Sequence, residues 1–134
     1  VSGDHDAIYQ IMYNICDNAI KFSFEGGLLR ISIRYAENKK VRVSVYNEGE
    51  GIPFEDQPYI FERFYKSDRS RGKDKTGVGL GMFIAKTIIK AHGEDIVLHS
   101  EPGKNCEFVF TLPRAQAPER HSAQNDRTWE QNAR

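Results

Sequence analysis

The sequence predicts a two-layer α/β sandwich, with helices on one face of an antiparallel or mixed sheet of about four strands. Two stretches carry apolar residues at helical spacing. Two others each hold a pair of alternating, β-branched segments joined by turn residues, the pattern of a hairpin. The order along the chain is helix, hairpin, a long aperiodic segment, helix, hairpin. The aperiodic segment makes a long lid the natural companion of the sandwich.

Asp4 suits the cap of the first helix. Ile8, Ile11, Met12, Ile15, Ala19 and Ile20 then recur on one side, until Gly26-Gly27 ends the element. Leu28 to Ala36 ("LLRISIRYA") and Val41 to Asn47 ("VRVSVYN") alternate across "ENKK", which predicts the first hairpin. Pro53 to Thr76 mixes aromatics with charges and has no period. The second helix spans Leu80 to Ala91, with His92-Gly93 as its stop. "DIVLHS" and "EFVFTLP" (Glu107 to Pro113) predict the second hairpin across "EPGKN". From Arg114 the chain is polar with one aromatic, Trp129, and reads as a disordered tail. The expected division is therefore a folded domain over 1–113 and a tail over 114–134. The opening "VSGD" reads as the interior of a longer protein, so an excised domain is expected.

At 134 residues, one domain with a real core is the natural size. The 39% hydrophobic and 28% charged composition is that of a globular protein. Lys plus Arg and Asp plus Glu both number 19, which argues against a whole-surface nucleic-acid binder. Cys16 and Cys106 form no readable disulfide framework, so a reducing compartment is the simpler view. No apolar run approaches the ~18 residues of a membrane span.

The first helix carries the residues that packing does not explain. Helical residues turn by about 100° each, so Asn14, Asn18 and Lys21 share one line along the flank of the apolar face. One reading is a polar boundary. The other is a ligand site, because an Asn oxygen suits Mg²⁺ and a Lys one turn on offsets phosphate charge. Two glycine clusters add to the second reading. "NEGEGI" (Asn47 to Ile52) follows a strand, and "KTGVGLGMFIAK" (Lys75 to Lys86) opens the second helix. Bare backbone at a helix start offers N–H groups to phosphates, although a lid hinge would use the same glycines. The spacing fits neither the P-loop nor the dinucleotide fingerprint.

Taken in order, "NICDNAIKF", "NEGEGI", "IFERFYK" (Ile60 to Lys66), "GVGLG" and "EPGKNCEFVFTLP" resemble the N box, first glycine box, F box, second glycine box and final strand of one family. That family is the catalytic ATP-binding domain of sensor histidine kinases, within the Bergerat-fold ATPase superfamily. The resemblance covers Val1 to about Pro113 and implies Mg²⁺ and ATP as cofactors. It implies that Asn18 binds the metal, that Asn14 helps position metal or phosphates, and that Lys21 meets phosphate oxygens. Asn47 stands where the family usually has an Asp that reads the adenine amino group. Gly49, Gly51 and Ile52 would shape the purine pocket, and Phe61 and Phe64 would anchor the lid base. Gly77, Val78, Gly79, Leu80 and Gly81 would wrap the phosphates. Lys66 and Arg69 are the favoured carriers of lid charge toward the γ-phosphate.

The resemblance also implies that the phosphoryl goes to a His on a separate dimerisation domain; His5, His92, His99 and His121 lack the acceptor's His-Glu/Asp context, so that His is expected outside this chain. A response regulator would follow, in a homodimeric protein. The domain itself would be cytoplasmic, in a membrane-bound bacterial sensor, with no membrane or nucleic-acid contact of its own. Two alternatives stand beside this. One is a related ATPase, disfavoured because Asn14 occupies the place of a general-base Glu and a carboxamide takes no proton. The other is a degenerate nucleotide-binding or scaffold module, since Asn47 and Gly103-Lys104-Asn105 depart from the family pattern. The family usually begins with a further strand and helix, so an exposed sheet edge is expected here.

Overall fold

Asp4 opens the first helix as a cap should. Its carboxylate accepts the Asp6 N–H at 3.0 Å, and helix α1 runs His5–Phe22. The computed structural model describes residues 4–63, 80–114 and 127–132. Ile11, Ile15 and Ala19 are buried along one side of α1, as their spacing predicts. Ile20 is not, and stays 61% exposed. It lies about 100° beyond Ala19, which turns it onto the flank that carries exposed Tyr9 and Tyr13, whose rings stack at 6.3 Å. The helix ends at Ser23, whose hydroxyl donates to the Ala19 carbonyl, and not at the glycine pair. Gly26 instead turns the chain into the sheet with φ +78°.

Strands β1 (Leu28–Ala36) and β2 (Lys40–Glu48) form the first hairpin, in antiparallel register with Ile31 opposite Val45. Asn38 and Lys39, in the three-residue connection between the paired Ala36 and Lys40, take φ 60° and 57°, both left-handed. Pro53 to Arg63, read from sequence as the start of the lid, is partly folded. A 3₁₀ turn covers Gln57–Tyr59, and Ile60 and Phe61 pack on the core. The rest of the expected lid, to Thr76, lies outside the described residues. Helix α2 (Gly81–Ala91) ends at His92, whose N–H reaches back to the Ile88 and Ile89 carbonyls. Strands β3 (Ile96–Glu101) and β4 (Asn105–Pro113) form the second hairpin.

A fifth strand, β5 (Arg127–Asn132), pairs with β1, so the sheet order is β3-β4-β2-β1-β5. Two expectations change here. The sheet has five described strands, all paired antiparallel, and this part of the tail is ordered. Every residue of β5 is exposed, so its apolar content gave no sign of a strand. Backbone pairing places it, helped by Arg30 and Glu130 at 3.0 Å. The β1 edge is thereby covered.

The sheet is apolar toward the helices and polar away from them. Val41, Val43 and Val45 of β2 and Phe108, Phe110 and Leu112 of β4 are each at most 5% exposed. Arg42, Ser44, Glu107 and Thr111 point to the other face. Burying each large side chain contributes about 1.5–3 kcal/mol. That apolar layer fixes α1 and α2 side by side on β2 and β4, which decides where their polar flanks meet.

Candidate functional site

The polar flank of α1 faces the start of α2. Asn14 and Asn18 are half-buried beside the buried line of Ile11, Ile15 and Ala19, and Lys21 is exposed. Asn14 lies against Gly81, and a Cβ there would stand 3.9 Å from the Asn14 carboxamide. Gln10 donates to Asn14 Oδ1 at 3.2 Å. Asn14 Nδ2 is buried without a hydrogen-bond partner among the described residues. The donor half of the amide is therefore left for an acceptor. Lys21 Nζ lies 3.1 Å from Asp17 across one helical turn. Such an exposed pair is weak, so the ammonium can exchange partners.

The loop after β2 is built around two glycines. A Cβ on Gly49 would stand 2.1 Å from the Phe22 carbonyl oxygen and 2.8 Å from Asn47 Nδ2. Only a bare backbone fits between the end of α1 and Asn47. Ser23 and Gly49 form a bridge at the same place, so the α1 flank and the Asn47 loop join there. Gly51 has φ +68° and packs on the backbone of Glu101 and Asn105. The Ile52 N–H donates to Ser100 Oγ at 2.8 Å, and Gln57 Nε2 donates to the Ile52 carbonyl at 2.8 Å. Ser100 and Gln57, which pin this loop to the β3–β4 hairpin, carry no sequence signal that sets them apart.

Asn47 continues the inward line of Val41, Val43 and Val45, and is 3% exposed. Among the described residues it is the one buried polar side chain. Its neighbour across β4 is Cys106, whose thiol burial pushes up to about 12. Cys16 is raised as well, by the same cause, and both cysteines are free. Phe61 meets Phe108 edge-on at 6.0 Å, and Lys86 Nζ stands 4.9 Å from the Phe61 ring centre. Leu80 caps α2 through its carbonyl, which accepts the Ile84 N–H. Phe64, Lys66, Arg69, Gly77, Val78 and Gly79 lie outside the described residues.

Among the described residues no three His, Cys, Asp or Glu side chains converge as a metal site. A cation here would take few protein ligands. This fits Mg²⁺, which keeps several waters and is commonly held by one or two protein oxygens and by phosphates. Asn18, half-buried on α1, carries one side-chain amide oxygen. No helix among the described residues is long and apolar enough to cross a membrane.

The two helices lie on one face of an antiparallel sheet, and the Asn14 side chain of α1 meets Gly81 at the start of α2. Residues 3–116 match the family described as histidine kinase-, DNA gyrase B-, and HSP90-like ATPase, and the chain belongs to it. Within the family it is similar to sensor histidine kinases. It is 43% identical over 117 residues to sensor histidine kinase WalK of Bacillus subtilis (strain 168), a match covering 87% of this chain and 19% of that protein. It is 42% identical over 113 residues to adaptive-response sensory kinase SasA of Crocosphaera subtropica, covering 84% of the chain and 29% of the relative. The chain thus spans less than a third of either relative.

Solved structures agree. The mycobacterial sensor histidine kinase MprB superposes with a TM-score of 0.74 at 26% identity, over 87% of this chain and 78% of that one. The catalytic domain of histidine kinase ThkA gives 0.71 at 33%, over 85% and 71%. Full-length ShkA in complex with AMPPNP gives 0.72 at 32%, over 88% and 24%. The expected fold class and family are both borne out, with the strand count corrected.

Proposed function

We propose that this chain is the ATP-binding catalytic domain of a two-component sensor histidine kinase. It presents Mg-ATP so that the γ-phosphoryl passes to a His on a separate dimerisation domain of the same protein. A response regulator then receives the phosphoryl group. The whole protein acts as a homodimer, with this domain on the cytoplasmic side of a bacterial membrane sensor.

The observation that carries the reading is Asn14 Nδ2, buried beside the start of α2 with no hydrogen-bond partner among the described residues. A buried donor without an acceptor costs about 1–3 kcal/mol, and a phosphate oxygen at the helix start removes that cost. Asn14 thus serves the phosphates, and the neighbouring Asn18 serves the Mg²⁺ through its amide oxygen. The bound ion supplies charge neutralisation at the phosphates. Lys21 exchanges Asp17 for a phosphate oxygen. Leu80 and Gly81 keep the α2 start open to the phosphates, with Gly77, Val78 and Gly79 before them. Lys66 and Arg69 bring positive charge from the lid, while Phe61 and Phe64 hold its base. Gly49, Gly51 and Ile52 shape the base pocket. Such a site needs no nucleophile of its own, because phosphoryl transfer depends on positioning and charge neutralisation.

Asn14 also separates transfer from hydrolysis, since a carboxamide cannot deprotonate water. The deciding experiment is a calorimetric titration of Mg-ATP into the chain and into Asn18→Ala. Asn18 is only half-buried, so the variant should fold with a stability change of about 1 kcal/mol or less. Mg²⁺-dependent binding should be lost. Unchanged affinity in the folded variant would refute the metal assignment. No binding to either protein would favour a degenerate module.

A further inference from the structure

Asn47 is an amide whose donor finds no complement among the described residues. It closes an inward line of three valines, and its cross-strand neighbours are Leu29 and Cys106. Its Nδ2 has no partner among the described residues, although the side chain is 3% exposed. Leu29 has no polar side-chain atom. Cys106 stays a protonated thiol and is engaged by Ser100, whose hydroxyl also serves Ile52 and Asn105. Gly49 keeps bare backbone against the amide. Folded proteins rarely retain a buried donor in this condition unless a further group completes it.

A carboxamide presents a donor and an acceptor together, whereas a carboxylate only accepts. The six-position edge of a purine has two common forms. A 6-aminopurine pairs an amino donor with a ring-nitrogen acceptor. A 6-oxopurine pairs a carbonyl acceptor with a ring N–H donor. Nδ2 and Oδ1 of one asparagine match either edge after a half-turn of the amide. A carboxylate in this place would meet the 6-oxo group with like charge.

Resting on the reading of this site as a purine-nucleotide pocket, we infer that Asn47 sets its base specificity. The pocket takes 6-oxopurine nucleoside triphosphates as well as ATP. Inosine triphosphate is the cleanest probe, because it changes position six without adding the 2-amino group of guanine.

The test is competition of Mg-ATP and Mg-ITP against a fluorescent ATP analogue bound to the full chain, repeated with Asn47→Asp. The expected result for the natural sequence is ATP and ITP affinities within about tenfold of each other. Asn47→Asp should shift the ratio toward ATP by about five- to tenfold, the size of one hydrogen bond. The measurement on the natural sequence stands even if the buried charge of the variant prevents folding. An ATP preference above tenfold in the natural sequence overturns the inference. So does an unchanged ratio in a folded variant. If neither nucleotide displaces the analogue, or the analogue itself does not bind, the underlying reading falls with it.

Discussion

Gly49→Ala tests the join between α1 and the Asn47 loop. The new Cβ would stand 2.1 Å from the Phe22 carbonyl oxygen, about 1.3 Å short of an ordinary 3.4 Å contact. That oxygen is backbone and cannot swing aside. Relief requires the end of α1 to move away from β2. The Ser23–Gly49 bridge and the Phe24 N–H to Glu48 carbonyl bond at 2.9 Å both oppose this. Overpacking costs about 1–3 kcal/mol and one disturbed backbone bond about 1 more. The sum, about 2–4 kcal/mol, is a large part of the 5–15 kcal/mol typical of a domain. At roughly 4 °C per kcal/mol, Tm should fall by about 8–16 °C. Thermal unfolding followed by far-ultraviolet circular dichroism measures it. Gly81→Ala is the control, because its nearest neighbour beyond its own helix is the Asn14 carboxamide at 3.9 Å, an ordinary contact. A Gly49→Ala midpoint within about 2 °C of the natural protein would refute the close-approach argument.

Two further outcomes follow from the polar face and the sheet edge. Glu94 accepts from Thr111 at 2.7 Å and lies 3.0 Å from Lys40, and these hold its carboxyl below the ordinary 4.5. Its ionised form therefore stabilises the fold above pH 4.5, and that contribution is lost as pH falls through the lower folded value. The unfolding free energy of Glu94→Gln from urea titration should lie below that of the natural protein by under about 1 kcal/mol near neutral pH, and the gap should close in acid. A gap that persists at low pH would count against the linkage. Removing residues 115–134 deletes β5, whose side chains are all exposed, so stability should drop by only about 1–2 kcal/mol. The chain's single tryptophan, Trp129, reports its docking by fluorescence. Loss of the cooperative transition on truncation would show that β5 is part of the core fold.

The sequence by itself determined the element order, the inward lines of both hairpins and the family. These rest on local periodicity: a buried strand face repeats every second residue and a buried helix face about every 3.6. It also isolated Asn14, Asn18 and Lys21, because polar residues beside an apolar stripe break a pattern that can be counted. Tertiary structure decided the rest. β5 lacks an apolar face, and its place depends on backbone pairing with a distant strand. Ile20 belongs to the apolar count but turns outward, since one residue of rotation moves it past the covered arc. Ser100 and Gln57 become loop anchors only when a hairpin and a loop approach. Asn47 shows the division most clearly. Its position in the motif is read from the chain, whereas its donor is left over only because β4, β1 and the end of α1 close around it with no hydrogen-bond partner among the described residues. A chain records which groups it carries, and packing decides which of them are left for a ligand.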